Sequence, residues 1–200
     1  MTTKIHSAKT KQELRKQIKS LLSEKIAFLE EYSAQVCNNI ERNEHFFNSD
    51  VILGYMALKD EVNITPILEK TIKSGKKVYI PKVDPDSPQM DFFEYSVNAN
   101  ISAGAFGIDE PDGLGKPFDL ASCNKKIIVL VPGRLFTKDG KRLGRGKGYY
   151  DVFLEKLFKY NPKNTVAVGV CFDMQLAEDL PCESHDILMN TVISQNGGCQ

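Results

Sequence analysis

The sequence predicts an α/β fold, a layered Rossmann-like domain in which helices flank a mainly parallel or mixed central sheet. The chain has 200 residues, of which 42% are hydrophobic, enough for one packed core. Short apolar runs alternate with helical patterns, as in βαβ units. Because no repeat or linker divides the sequence, residues 1–200 are predicted to form a single domain, with N-terminal helices over about 8–45 packed on the α/β core.

Two helices are predicted at the N-terminus. Residues 8–22 place apolar side chains at helical spacing, and Thr10 with Glu13 fits a capping box. Ser23 is expected to cap a second helix, whose apolar residues extend to Ile40.

Two further helices lie between predicted strands. Thr65-Pro66 indicates a helix start and Ser74-Gly75 its end, while another helix is predicted over about 149–160. Strands are predicted at the apolar runs Val51–Met56, Lys77–Ile80, Phe92–Tyr95, Ile127–Val131, Val166–Phe172 and Thr191–Ser194. The five branched aliphatic residues of Ile127–Val131 predict burial on both faces of the sheet. Residues 81–88 and 98–124, rich in Pro and Gly, are predicted to be loops.

Charge and cysteine usage argue against several classes of protein. Lys+Arg and Asp+Glu both number 26, so net charge gives no support for a nucleic-acid or membrane partner. The five cysteines are scattered without a C-x-x-C, which argues against a zinc ribbon or a redox pair. Without a signal-peptide pattern or a run of about 18 apolar residues, a cytoplasmic protein is expected.

The segment Gly140–Asp151, here called the glycine-rich loop, indicates a phosphate ligand. It interleaves four glycines with four cations, and a helical pattern follows. Glycines let backbone N–H groups approach an anion, and a helix N-terminus adds to that site. The spacing fits neither the Walker loop nor the dinucleotide fingerprint. From the loop alone, a flexible basic turn and a non-catalytic nucleotide- or RNA-binding loop stay open.

The string around this loop, Val131–Leu154, resembles the signature of the 5-formyltetrahydrofolate cyclo-ligase family, also called 5,10-methenyltetrahydrofolate synthetases. Weaker matches follow the family's order from about residue 8 to 194. They are Lys11-x-x-Leu-Arg15, Asp60-Glu61-Val62, Gly75–Pro81, Gly107–Pro111, Leu180-Pro181 and His185-Asp186.

The resemblance implies that ATP and 5-formyltetrahydrofolate, in mono- or polyglutamylated form, become 5,10-methenyltetrahydrofolate, ADP and phosphate with Mg²⁺. The formyl oxygen would attack the γ-phosphate, and folate N10 would then displace phosphate. Such phosphoryl transfer depends on positioning and charge neutralisation. The family pattern also implies a monomer or weak homodimer.

The resemblance assigns roles residue by residue. For ATP it implies Lys11, Arg15, Arg142, Leu143, Gly144, Arg145, Gly146, Lys147, Gly148, Tyr149 and Tyr150, with Arg145 and Lys147 as the catalytic cations. For the folate it implies Met56, Glu61, Arg145, Gly146, Lys147, Gly148 and Tyr149, with Met90 and Phe92 as further apolar wall. For the metal it implies Asp151 and Asp186.

Several residues also have ordinary structural interpretations. Lys11 and Arg15 could form a solvated basic helix face, Met56 could be core packing, and Asp186 could cap a turn. One of the two tyrosines is expected to line the site and the other to be partly structural. Two positions depart from the family pattern, Arg134 where an apolar residue is usual and Asn190 where Asp is common. Neither is expected to contact the residues above.

Overall fold

The computed structural model describes residues 10–97, 101–103, 109–111 and 116–199. Its α-helices are α1 (Lys11–Glu24), α2 (Leu29–Arg42), α3 (Glu44–Asn48), α4 (Thr65–Lys73) and α5 (Tyr149–Tyr160). Its strands are β1 (Val51–Leu53), β2 (Lys77–Val83), β3 (Met90–Glu94), β4 (Ile101–Ala103), β5 (Asp109–Pro111), β6 (Ile127–Pro132), β7 (Leu135–Thr137), β8 (Arg142–Leu143), β9 (Thr165–Val170), β10 (Leu176–Ala177), β11 (Thr191–Ser194) and β12 (Gly197–Cys199).

Seven strands form the central sheet in the order β12-β11-β9-β6-β1-β2-β3. The five inner strands are parallel, and the edge strands β3 and β12 pair antiparallel to their neighbours. The α/β class with a mainly parallel sheet is thereby confirmed.

Helices cover both faces of the sheet. Along β6, Ile128 and Leu130 face a core that includes residues of α1, α2 and α4. Ile127, Val129 and Val131 face the opposite core, which includes Phe153, Leu154 and Leu157 of α5. All five aliphatic residues of β6 are at most 1% exposed, because alternate side chains of a strand point into opposite layers.

Three predicted helix starts are confirmed, that of α5 at Tyr149 among them, and one is wrong. The capping box of Thr10 with Glu13 is present, and Pro66 lies in the first turn of α4. The predicted positions 8 and 9 lie outside the described residues. Ser23 does not cap α2, because α1 continues to Glu24 and a 3-10 turn intervenes before α2 begins.

Several short strands depart from the predicted pattern. β2 continues through Pro81, which is tolerated because β1 pairs with β2 only as far as Tyr79. A three-stranded sheet of β10, β7 and β8 includes two residues of the glycine-rich loop, Arg142 and Leu143. β12 follows the strand predicted to be last. Within predicted loop 98–124, β4 pairs with β5, while residues 104–108 and 112–115 lie outside the described residues.

Within the parts of the chain that the structure describes, every helix falls short of the length and apolar character needed to cross a membrane.

Candidate active site

A cleft of about 1100 Å³ opens at the carboxyl ends of β1 and β6. These strands are adjacent and parallel, but their crossover helices lie on opposite faces of the sheet: α4 after β1 and α5 after β6. The chain segments that follow β1 and β6 therefore run to opposite faces of the sheet. In open α/β sheets such a switch point leaves a crevice, which is where ligands bind.

The structure brings the sequence-predicted site residues, with the exception of Phe92, to the wall of this cleft. They come from α1, from the segment after β1, from the glycine-rich loop with the first turn of α5, and from the segment before β11. The residues are Lys11, Arg15, Met56, Glu61, Arg142, Leu143, Gly144, Arg145, Gly146, Lys147, Gly148, Tyr149, Tyr150, Asp151 and Asp186.

Glycines allow the loop to contact arginine side chains closely. Arg15 Nε donates to the carbonyl oxygen of Gly144 at 2.9 Å, which ties α1 to the loop. Gly146 has φ +102°, and a Cβ there would lie 3.3 Å from Arg15 Cζ. Gly148, with φ +75°, occupies the N-cap of α5, which has no side-chain cap. Both positive φ values favour glycine, and the uncapped helix start presents backbone N–H groups that suit an anion.

An ion pair joins the start of α5 to β8. Arg142 Nη2 lies 2.8 Å from Asp151 Oδ2, and the two side chains are 5% and 18% exposed. The Arg142 guanidinium also lies over the ring of Tyr150, 5.7 Å from its centroid. Arg142 is therefore held beneath the loop by Asp151, Tyr150 and the Pro132 carbonyl, rather than extended into solvent.

A second ion pair joins α1 to the segment before β11. Lys11 Nζ lies 2.8 Å from Asp186 Oδ2 and 3.3 Å from Glu183 Oε1. Asp186 Oδ2 also accepts the Glu183 N–H at 2.8 Å, so the turn-capping interpretation holds as well. Burial is the largest single effect on both groups and opposes their charges, but the hydrogen bonds and the nearby charges together outweigh it. The pKa of Lys11 is consequently raised and the pKa of Asp186 lowered.

Arg145 contacts two carboxylates across the cleft. Its Nε lies 2.8 Å from Glu61 Oε1, and its Nη2 lies 2.6 Å from Asp60 Oδ1. Glu61 Oε2 accepts the N–H of Leu58 at 3.0 Å, so both of its oxygens have partners. Arg145, the predicted phosphate cation, and Glu61, the predicted folate carboxylate, therefore neutralise each other's charge.

Sequence reasoning missed the site roles of Asp60 and Arg134. Asp60 was part of the family match but received no role, and Arg134 was expected to stay apart from the site. Instead Arg134 lines the cleft, its Nη1 pairs with Asp60 Oδ2, and its backbone N–H donates to the Leu143 carbonyl at 2.7 Å. The available signal in the sequence was Arg134 itself, an arginine shortly after the apolar strand β6 at a position where the family usually has an apolar residue. Asn190 stays outside the cleft lining, where its backbone N–H and side-chain oxygen pair with the backbone of Ala167.

Both tyrosines line the cleft, and both also pack against the core. The Tyr149 hydroxyl donates to the Asp84 carbonyl at 3.0 Å. The Tyr150 hydroxyl is buried without a hydrogen-bond partner among the described residues. Its burial, followed by the nearby Glu61 charge, raises the pKa of the Tyr150 phenol well above its usual range.

The apolar wall is supplied by methionines rather than by Phe92. Met56 lies half-buried at the cleft, and Met90 lines it from β3. Met56 also packs against the core, so both of its interpretations apply. Phe92 is fully buried and packs against Phe153, with ring centroids 4.5 Å apart and the rings tilted by 40°, so the structure places it in the core.

The two predicted metal ligands lie in neighbouring parts of the cleft. The backbone N–H of Ile187, next to Asp186, is 3.4 Å from Asp151 Oδ1. Within residues 10–97, 101–103, 109–111 and 116–199 no group of three or more His, Cys, Asp or Glu is arranged to hold a metal ion. Two carboxylates nevertheless fit Mg²⁺, which usually binds to one or two of them together with phosphate oxygens and water.

Comparisons with known proteins agree with the resemblance. The sequence model of the 5-formyltetrahydrofolate cyclo-ligase family matches residues 7–195. The chain is 25% identical to the 5-formyltetrahydrofolate cyclo-ligase of Mus musculus, with 96% of each chain covered. It is 28% identical to that of Saccharomyces cerevisiae, covering 94% of this chain and 96% of the yeast protein.

The fold is also similar to a solved structure. The NMR structure of Aquifex aeolicus 5,10-methenyltetrahydrofolate synthetase superposes with a TM-score of 0.77 at 29% identity, covering 95% of this chain and 92% of that one. Because the family match spans nearly the whole fold, including all four segments that build the cleft, the chain belongs to the 5-formyltetrahydrofolate cyclo-ligase family.

Proposed function

We propose that the cleft cyclises 5-formyltetrahydrofolate to 5,10-methenyltetrahydrofolate while ATP is converted to ADP and phosphate. The type of enzyme follows from family membership. The observation that supports this location is the convergence of the predicted phosphate cations and the predicted folate carboxylate Glu61 on one cleft at the sheet's switch point.

The chain's own residues supply what phosphoryl transfer needs. Arg15 on α1 contacts the glycine-rich loop and Lys11 lines the same cleft, so the polyphosphate would lie between α1 and the N-terminus of α5. Arg145 and Lys147 would stabilise the charge of the γ-phosphoryl group as it is transferred to the formyl oxygen. In this step the bond between the γ-phosphorus and ADP breaks as the new P–O bond forms. No protein nucleophile is required, because the catalytic task is positioning and charge stabilisation.

The folate would lie on the Glu61 side of the cleft. A carboxylate can accept paired N–H bonds from a pterin ring, and Met56 and Met90 provide apolar surface for it. In the second half of the reaction N10 attacks the former formyl carbon, its proton leaves, and the carbon–oxygen bond to phosphate breaks. The ring closes only if N10 and this carbon are held together, which a fixed pterin would ensure.

We assign Mg²⁺ to Asp151 and Asp186, where it would neutralise charge on the ATP phosphates. In the structure Arg142 pairs with Asp151, and Lys11 pairs with Asp186. We further propose that the protein is cytoplasmic and acts as a monomer or weak homodimer. Its folate substrate would be mono- or polyglutamylated.

A turnover assay tests the proposed function. The protein is incubated with 5-formyltetrahydrofolate, ATP and Mg²⁺, and the methenyl product is followed by its near-ultraviolet absorbance. Product is expected only when all three are present. Absence of product at high protein concentration would overturn the proposal, and RNA binding with steep salt dependence would then favour a polyanion-binding protein.

Matched variants test the assignment of the loop cations. Arg145→Ala and Lys147→Ala should each reduce turnover by about 10²–10³-fold, the effect of removing one group that stabilises developing charge. Lys16→Ala is the control, because Lys16 is an exposed cation on α1 that does not line the cleft. Similar turnover in all three variants would show that the loop does not act on the phosphoryl group.

A further inference from the structure

Four side chains form an alternating network of charges along one wall of the cleft. In order they are Arg134, Asp60, Arg145 and Glu61. Asp60 stands between the two arginines: its Oδ2 pairs with Arg134 Nη1, and its Oδ1 lies 2.6 Å from Arg145 Nη2. The two arginines therefore share one carboxylate, each on a different oxygen.

The two arginines differ in how firmly they are held. The Arg134 side chain is 9% exposed and that of Arg145 is 33% exposed. The backbone around Arg134 is fixed on both sides: its N–H donates to the Leu143 carbonyl at 2.7 Å, and its carbonyl accepts from buried Gln175 Nε2 at 3.1 Å. Arg145 lies in the glycine-rich loop between Gly144 and Gly146, where the backbone is least restricted.

This arrangement affects how Arg145 becomes available. The charge of Arg145 is neutralised by Asp60 and Glu61, so a phosphate that binds Arg145 must draw it away from both carboxylates. Burial raises the pKa of the half-buried Asp60 carboxyl, but the hydrogen bonds and charges of Arg134 and Arg145 together lower it below its usual value. A partly buried carboxylate that loses its partner is strongly destabilised. With Arg134 in place, Asp60 retains a partner when Arg145 leaves.

We infer that Arg134 is a positioning residue that holds Asp60 and thereby frees Arg145 to bind an anionic phosphate ligand. The inference rests on the proposed function, since it takes Arg145 as the phosphate cation. Arg134 acts through Asp60 and need not contact the ligand. Without Arg134, Asp60 would have Arg145 as its only cationic partner and would bind Arg145 more strongly.

A double-mutant cycle tests this coupling. The affinity of a non-hydrolysable ATP analogue with Mg²⁺ is measured by calorimetry in the wild type, Arg134→Met, Asp60→Asn and the double variant. Arg134→Met should weaken binding by about tenfold, within the usual range for coupled neighbours. In the Asp60→Asn background the same substitution should change affinity by less than about threefold, because no carboxylate remains to retain Arg145.

The cycle distinguishes positioning from a general loss of positive charge. If Arg134 contributed only to the overall field of the cleft, its replacement would weaken binding equally in both backgrounds, and that additive result would overturn the inference. Wild-type affinity in Arg134→Met would overturn it as well. Should Arg134→Met fail to fold in a thermal melt, Arg134→Lys keeps a charge beside Asp60 and should bind within about threefold of the wild type, whereas a tenfold loss would contradict the inference.

The binding measurement is independent of turnover. A protein that binds the nucleotide but forms no methenyl product would contradict the proposed function, while the cycle would still decide the role of Arg134. A wild-type protein that binds no nucleotide would overturn the inference, because no anion would then compete for Arg145.

Discussion

The ion pair between Arg142 and Asp151 predicts a large and specific loss of stability when one partner is removed. Arg142→Met keeps much of the side-chain volume but leaves the Asp151 carboxylate, 18% exposed, without its cation at 2.8 Å. Its Oδ1 retains a weak hydrogen bond from the Ile187 N–H at 3.4 Å. Removing one partner of a buried pair costs about 3–5 kcal/mol, because the remaining charge is uncompensated.

The magnitude can be expressed as a melting temperature. In a chain of this size, 1 kcal/mol corresponds to about 2–4 °C, so Arg142→Met should melt about 6–20 °C below the wild type. The assay is thermal unfolding at neutral pH, followed by far-ultraviolet circular dichroism. Adding Asp151→Asn to this variant removes the uncompensated charge and should recover about 1–3 kcal/mol.

Lys141→Met provides the matched control from the adjacent position. Lys141 pairs with Asp179 at 2.5 Å, but these side chains are 30% and 52% exposed, so loss of the pair should leave the melting temperature close to that of the wild type. An Arg142→Met variant that melts within about 2 °C of the wild type would refute the reasoning, since it would mean that water or a neighbouring group solvates Asp151 at little cost. Equal losses in both variants would show that burial does not set the energy of these pairs.

Two further predictions concern stability. Gly140→Ala should cost at least about 3 kcal/mol in the free energy of unfolding, because φ is +91° and the new Cβ would lie 2.3 Å from the Met189 carbonyl oxygen. Gly75→Ala, at φ +87° with nothing within 4 Å of its Cβ, should cost only about 1–2 kcal/mol, and equal losses in urea titrations would contradict the clash. Asp60 has a folded-state pKa below its unfolded value, so it stabilises the fold above about pH 4 and loses that contribution as the pH falls through the folded pKa. Asp60→Asn should therefore reduce the acid slope of stability by up to about 1.4 kcal/mol per pH unit below pH 4, and an unchanged slope would show that Asp60 is not a source of acid sensitivity.

Local features of the fold were predictable because their causes lie within a few residues. Thr10 and Glu13 cap each other across one turn, and α5 begins at Tyr149 as predicted, directly after Gly148 in a left-handed conformation. The five aliphatic residues of β6 predicted a strand that is buried on both faces, whatever the position of the sheet in the fold. The cleft was predictable at a different level, since the resemblance named residues that only the folded chain brings together.

The features that were missed depend on distant contacts or on very short elements. Arg134 and Asp60 are 74 residues apart, and no local pattern indicates that they pair. β8 and β10 have two residues each, too few to show a period, and they exist because β7 lies between them. Ser23 had the right chemistry for a cap, but the continuation of α1 placed it inside a helix.

The paired charges of the cleft also have a consequence for the rate at which ligands arrive. Lys11, Arg134, Arg142 and Arg145 each have a carboxylate within ion-pair distance before any ligand binds. At a distance such pairs act as dipoles, whose fields fall off faster than those of single charges, so these four cations contribute little long-range attraction for polyanions. Capture of a ligand then depends on short-range exchange of partners inside the cleft, which favours a molecule that can replace several carboxylates at once over simple phosphate ions.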